Sequence, residues 1–291
     1  MRHRVDEIGF ASPSGLADRT RYTFRATSPR AQLEVELLGG AAEFERAAGS
    51  GSPAELAIAD VRQQMIDGLG SALTIVGEGE IAVAGKPGRF LHYQFSERGA
   101  EQQGFVVIAE LADDDWVQLA WQLEGDAGAV RGAVDPVLAS FARGSEDAPA
   151  IGTNLRRAGG WQFELPSRYA GPRSFAWVDE DAELRLAIGV HPFDVDKPEL
   201  DARVAALEAR GFTLERRDDV PIIHGDMVRL HLRDASGEAW FACRAAQAYP
   251  IGNPVRDRWV EVSIEARLAD EATARKRVDD LLASIAVEER R

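Results

Sequence analysis

A single cysteine, Cys243, occurs in 291 residues, so no disulfide can form within the chain and no cysteine cluster can hold a zinc ion. It sits in the strand-like run Trp240-Phe241-Ala242-Cys243-Arg244 and reads as a packed thiol. Positive charge is also scarce: 34 Lys and Arg stand against 48 Asp and Glu, a net charge of −14. A phosphate backbone needs a basic stripe, so a nucleic-acid partner is excluded. Long apolar runs are missing as well. The charged start Met1-Arg2-His3-Arg4 is followed by no stretch of signal-peptide or membrane-span length, so neither export nor stable membrane insertion is expected, and a cytoplasmic protein is. The catalytic patterns Gly-x-Ser-x-Gly and His-Glu-x-x-His, the P-loop and the dinucleotide-binding glycine motif do not occur, and no enzyme, cofactor or metal is expected. His224, Asp226 and His231, the most suggestive metal set, fail because residues 224 and 231 point to opposite faces of a strand.

What the chain does contain is one order of elements written twice. Asp115-Trp116-Val117-Gln118-Leu119 leads to Val134-Asp135 and Leu138-Ala139-Ser140, and Arg258-Trp259-Val260-Glu261-Val262 leads to Val278-Asp279 and Leu282-Ala283-Ser284. The interval between the two Trp equals that between the two Leu-Ala-Ser tripeptides to within one residue. Two copies of one fold, each of single-domain size, explain this most simply. The composition between them, from Arg143 to Arg157, is that of a linker. The reading is a first domain at 6–143, a linker at 144–157 and a second domain at 158–288.

Each copy opens with a short alternating strand ending at proline, Ile8 to Pro13 and Trp161 to Pro166, and continues through segments of period two. A capped helix follows. Ser52-Pro53-Ala54-Glu55 supplies an N-cap hydroxyl, a proline whose missing N–H costs nothing, and a glutamate that reaches back to the cap; Asp196, Pro198 and Glu199 repeat the signal. Successive strands then pair as an antiparallel meander, read as Leu73–Val76, Ile81–Val83, Phe90–Phe95, Gly104–Leu111 and Trp116–Leu123 in the first copy. A closing helix carries Val130, Val134, Val137 and Phe141 in the first copy and Ala274, Val278, Leu281 and Ile285 in the second. The fold class is α+β: two tandem domains, each an antiparallel sheet with two main helices.

This order resembles the PsbP/DcrB-like superfamily of αβα sandwiches, and the resemblance implies two tandem αβα-sandwich domains. Phe163-Glu164-Leu165-Pro166, Pro198-Glu199-Leu200, Arg258-Trp259-Val260 and Leu282-Ala283-Ser284-Ile285 carry the likeness. Cytoplasmic proteins of that kind include the Eag-type chaperones of type VI secretion, which hold the hydrophobic N-terminal helices of effectors. The resemblance implies a non-enzymatic chaperone or adaptor whose partner is a protein; a scaffold subunit of a larger assembly is the alternative.

Alternation within the strands proposes a binding face. Leu91, Tyr93, Phe95 and Val117, Leu119, Trp121, Leu123 are read as facing the helices, which leaves Phe90, His92, Gln94 and Trp116, Gln118, Gln122 on an open face rich in rings and amides and free of charge. His92 and His231 occupy equivalent places, as structural histidines or as binding contacts. The equivalent set in the second copy, Arg229, His231 and Arg233 with Trp259, Glu261 and Glu265, is charged. Tyr249 joins the candidates because it lies in the longer connection from Ala246 to Asp257.

Overall fold

Along Arg21–Thr27, Tyr22, Phe24 and Ala26 are buried while Arg21, Arg25 and Thr27 face outward, and the same period of two turns much of the chain into strand. The computed structural model describes residues 1–5, 8–38, 52–97, 99–112, 115–145, 154–179, 183–192, 200–222, 225–249, 258–267 and 271–287. Asp196, Pro198 and Glu199, read above as a helix start, lie outside them. In chain order the first elements are β1 (Arg2–Val5), β2 (Ile8–Ala11), β3 (Ala17–Asp18), β4 (Arg21–Thr27), β5 (Arg30–Leu38) and α1 (Pro53–Leu69). Next come β6 (Thr74–Val83), β7 (Lys86–Glu97), β8 (Ala100–Ala112), β9 (Asp115–Glu124), α2 (Val130–Ser140), β10 (Ala142–Arg143), β11 (Leu155–Ala158) and β12 (Trp161–Glu164). The last are β13 (Ser174–Asp179), β14 (Leu184–Pro192), α3 (Leu200–Ala209), β15 (Thr213–Ile222), β16 (Gly225–Arg233), β17 (Ala239–Tyr249), β18 (Arg258–Arg267), α4 (Glu271–Ala283) and β19 (Ala286–Val287).

Two compact units result, Arg21–Pro172 and Met1–Thr20 with Arg173–Arg291. The unit Arg21–Pro172 holds an antiparallel sheet in the order β4-β5-β9-β8-β7-β6 and a small sheet β10-β12-β11. The other holds a sheet in the order β15-β16-β17-β18-β14-β13-β3 and a small sheet β1-β2-β19. The fold is thus α+β, built mainly of antiparallel sheet. Element by element, β13, β14, β18, β17, β16 and β15 take the places that β4, β5, β9, β8, β7 and β6 take in the six-stranded sheet.

The compact units are not cut where the sequence repeat is cut. The hairpin β1–β2 that opens the chain pairs with β19 near its end, at Ile8 with Val287 and Gly9 with Ala286. The hairpin β11–β12 pairs with β10, at Ala142 with Gln162 and Arg143 with Trp161. The hairpin β1–β2 therefore belongs to the unit that contains α4, and the hairpin β11–β12 to the unit that contains α2. Leu155 to Arg157, linker by composition, is strand in β11.

In the six-stranded unit the core lies on one face of the sheet, where Tyr22, Phe24, Leu33, Val35, Val107, Val117, Leu119 and Trp121 are buried. The closing helix α2 buries Val134, Val137 and Leu138, and Phe141, the extended residue just after it, stacks on Phe163 of β12 at 4.7 Å, which in turn meets Phe24 edge-on at 5.5 Å. The expectation of two strands across Leu73 to Val83 gives way to one, β6, with a bulge between Ile75 and Gly77.

Candidate functional site

Strand register decides which candidates share a face, and it divides them. Leu91 pairs with Val106 and Val106 with Ala120, so Leu91 and Tyr93 lie on the face that carries Trp116, Gln118 and Gln122. Phe90 pairs with Val107 and Val107 with Leu119, which puts Phe90, His92 and Gln94 on the opposite face with Leu119 and Trp121. The single open face expected from the sequence is therefore two faces. Alternation sorts one strand into two sets but does not match them to its neighbour's sets, and a bulge between Glu110 and Ala112 shifts the β8–β9 pairing besides.

The first face is partly covered by α1. Its start is fixed by the capping box: Ser52 Oγ accepts from the Glu55 backbone N–H at 3.3 Å, and the Ser52 N–H donates to Glu55 Oε2 at 3.0 Å. That hydrogen bond from Ser52, followed by the hydrogen bond and charge of Arg89, holds the Glu55 carboxyl below the usual carboxylate range. Ala54 and Ile58 pack on Leu91, Val106, Ile108 and Trp116. Trp116 is thus a core side chain, only 7% exposed.

Beyond the helix this face is half-exposed and polar. Gln118 and Gln122 continue across the register to Glu36 and Gln32 of β5, with Glu34 between them and Arg21 and Arg25 on β4. Arg25 Nε donates to Gln32 Oε1 at 2.9 Å, and Gln32 Nε2 donates to Glu34 Oε1 at 2.8 Å. Gln122 Nε2 donates to Glu97 Oε2 at 3.1 Å, and Arg21 lies 3.4 Å from Glu36. The Tyr93 ring lies flat over Gly104, where an added Cβ would fall 2.1 Å from the ring, and its hydroxyl pKa is pushed up by burial and then by the charge of Glu34. The expectation of a face free of charge is corrected: the charges come from β5 and β4, strands left out of that reading.

The opposite face holds Phe90, His92 and Gln94 toward the edge strand β6. His92 is buried, and its Nε2 lies 3.1 Å from Gln103 Oε1. Gln103 Nε2 already donates to the Gly125 carbonyl at 3.2 Å and to Glu101 Oε1 at 3.3 Å, so the His92 bond is satisfied with His92 Nε2–H as donor. The Arg131 guanidinium lies 5.8 Å from the ring centre of Phe90 and 5.9 Å from that of Phe105.

The seven-stranded sheet repeats this geometry with other chemistry. His231 pairs with Phe241 as His92 pairs with Phe105, and each histidine faces the strand residue just after a bulge, Arg216 and Gly77 respectively. Arg216 Nη2 donates to His231 Nε2 at 2.9 Å, the reverse of the role that atom has in His92. Asp218 Oδ2 stands 3.0 Å from Arg216, 2.9 Å from Arg229 and 3.4 Å from His231 Nε2; burial, the largest single effect, pushes its carboxyl up, but Arg229 and Arg216 together outweigh it and hold the carboxyl below the usual range. Here too the expected set divides: Arg229 and His231 share a face with Phe241, whereas Glu265 lies on the other with Leu230 and Ala242. Tyr249 is the last residue of β17, so Ala246 to Tyr249 is strand; its side chain and residues 250–257 lie outside the description. Among the described residues no group of three or more His, Cys, Asp or Glu could hold a metal ion, and no helix is long and apolar enough to cross a membrane.

No family model matches the sequence, and no curated protein matches it. Among solved structures, the immunity protein TplEi of the type VI secretion system from Pseudomonas aeruginosa, complexed with "L" peptide, aligns over 99% of this chain and 98% of its own, at 10% identity and a TM-score of 0.42. The Tle4–Tli4 complex gives 99% and 97% coverage, 11% identity and a TM-score of 0.42. A protein of unknown function, PA94 from Pseudomonas aeruginosa, a putative regulator by its description, aligns with 42% of this chain and 81% of its own at 13% identity and a TM-score of 0.27.

Reasoning from the sequence passed over Glu34, Glu36 and Gln32, which complete the polar face, and the glycines of β6. The alternation Gly77-Glu78-Gly79-Glu80 was the available signal, since glycine on every second position strips one face of a strand of its side chains.

Proposed function

We propose that the protein is a non-enzymatic binding partner of a secreted effector and that it engages a folded, polar surface of that effector, as an immunity protein does. The observation that supports this is the half-exposed face of the six-stranded sheet, where Gln118 and Gln122 join Gln32, Glu34, Glu36 and Arg25. Burying an apolar helix there would strand these charges, whereas a polar surface of matching charge can satisfy them. TplEi, described as an immunity protein of type VI secretion, has a role of this class; the reading here rests on the surface, not on that likeness. In the same reading the two units are copies of one PsbP/DcrB-like sandwich, supported by the matching strand orders.

The chaperone reading, in which hydrophobic helices of the effector are held before export, draws on a different feature. Ile66 of α1 and Val76 of β6 are large apolar side chains at 40% and 45% exposure. Capture assays with a candidate effector separate the two. An immunity protein binds the effector body and suppresses its toxicity; a chaperone binds the isolated N-terminal hydrophobic segment and leaves toxicity unchanged.

A further inference from the structure

The edges of the two large sheets are treated differently. In the unit Arg21–Pro172 the edge strand β4 exchanges backbone hydrogen bonds with Ala170: the Arg25 N–H donates to the Ala170 carbonyl and the Ala170 N–H to the Arg25 carbonyl, each at 2.8 Å. In the other unit β13 is covered by β3, at Trp177 with Asp18 and Val178 with Ala17. At the opposite ends, β6 and its equivalent β15 pair with no strand on their outer sides among the described residues. What those outer sides offer is set by two prolines. The turn Ala84-Gly85 between β6 and β7 has two residues, both at positive φ, so the flanking pair Val83–Lys86 is hydrogen-bonded and every second pair follows it. Ala82 then faces Pro87 in a pair without hydrogen bonds, as it must, because Pro87 has no N–H to give. By the same alternation Glu78, Glu80 and Ala82 direct their backbone N–H and C=O groups away from β7. The equivalent residues of β15 are Arg217, Asp219 and Pro221, with Pro221 opposite Asp226. A strand laid against β15 meets a missing donor at Pro221, whereas the same place in β6 is Ala82, whose N–H is intact.

The charge along this edge selects the occupant. Glu78 lies 3.5 Å from Arg62 and Glu80 lies 3.7 Å from Arg89, but Arg89 also holds Glu55, so three carboxylates share two guanidiniums. The Glu80 side chain is 89% exposed. A second copy of β6 is a poor neighbour. An antiparallel ladder built on residues 78, 80 and 82 of two copies sets Glu78 against Glu78, Glu78 against Glu80 or Glu80 against Glu80, and like charges directly opposite destabilise a pair. A strand with basic residues at those places gains where the copy loses. We propose that the outer edge of β6, from Glu78 to Ala82, receives an extended segment of a protein partner as an added antiparallel strand, with Lys or Arg opposite Glu78 and Glu80. This rests on the reading of the chain as a protein binder and adds a contact at the end of the sheet remote from β4 and β5.

Two measurements test this and fail separately. In the first, the full chain is titrated with the peptide acetyl-Thr-Val-Lys-Val-Lys-Val-Thr-amide and, in parallel, with the same peptide carrying Glu in place of Lys, and backbone amides are followed by NMR. In the free chain the amides of Glu78, Glu80 and Ala82 are expected to exchange freely with solvent. The basic peptide should shift them saturably and protect them, and the acidic one should bind about tenfold more weakly. Ala82→Pro installs the residue that β15 has at that place and removes no hydrogen bond to β7; it should weaken the basic peptide about tenfold. Glu80→Lys, at an exposed side chain, should reverse the preference between the peptides and decides the matter if Ala82→Pro does not fold. Protection of these amides in the free chain, no saturable shift, equal response to the two peptides, or a preference unaltered in Glu80→Lys would overturn the proposal. In the second, wild type, Ala82→Pro and Glu80→Lys are compared for capture of a candidate effector. Affinity about tenfold lower in the variants supports the proposal. Equal capture overturns the edge contact and leaves protein binding standing, whereas no capture by wild type counts against protein binding and leaves the edge to be judged by the first measurement.

Discussion

The six-stranded sheet of Arg21–Pro172 and the sheet that β13 to β18 form in the other unit share strand order, bulge position and a histidine facing the bulged strand, but differ in what stands on that framework. One carries Arg216, Asp218 and Arg229 as an internal ion cluster; the other carries Gly77, Gly79 and Phe90. Backbone geometry is evidently set by the hydrophobic face, where both sheets agree, while the half-exposed positions are free to diverge. A charge cluster that satisfies itself closes a surface. Gly79 instead makes room for the Phe90 ring, which a Cβ there would meet at 3.3 Å.

The largest effects should come from breaking the exchange of opening hairpins. A fragment of residues 21–172, which keeps β11–β12 against β10, is expected to show a single cooperative urea transition; residues 6–143, cut at the sequence repeat, lose Trp161 and Phe163 and should show none. Equal behaviour of the two fragments would contradict the spatial division. Next in size, Phe24→Ala and Trp177→Ala remove fully buried rings at equivalent places in the two sheets. Each is expected to cost about 3–5 kcal/mol of unfolding free energy, measured by chemical denaturation. A loss confined to one of them would show that the two cores are not built alike.

Smaller effects sharpen the comparison. Ser52→Ala removes one cap of α1, and a loss of roughly 1 kcal/mol is expected, measured by chemical denaturation. Smallest is the turn after β16. Asp234 Oδ1 accepts from the Ser236 hydroxyl and from the N–H groups of Ser236 and Glu238, and Oδ2 accepts from Trp240 Nε1 at 3.1 Å. The Ser236 hydroxyl above all, with Trp240 and the backbone N–H groups, lowers the Asp234 pKa from 3.8 to about 2. Because the folded value is depressed, its contribution is complete above about pH 3.8 and is lost as pH falls through about 2. The Trp240 indole proton should therefore report a titration near pH 2; a midpoint near 3.8 would refute the bonded turn.

Much of this was legible in the residues themselves. The capping box at Ser52 and the apolar stripe of α2 are local patterns, and local physics shapes them. The exchange of hairpins was not legible, because Ile8 and Phe10 carry the same alternation as Trp161 and Phe163, and nothing in a short strand says which sheet it completes. The binding face was misassembled for a related reason. Parity between strands is set by turns and bulges, and the bulge at Leu111 follows the apolar run Phe105 to Ala109, which shows no period of two.

The central claim, that a polar and charged sheet face binds a folded effector, is tested most directly by the affinity of the full chain for the purified effector body as salt is raised. Raising ionic strength from about 0.05 to 0.5 M shortens electrostatic reach roughly threefold. The dissociation constant is expected to rise at least tenfold over that range, and Glu34→Lys should weaken binding at the low-salt end. An affinity indifferent to salt and to Glu34→Lys, with tight capture of the hydrophobic N-terminal segment alone, would contradict it.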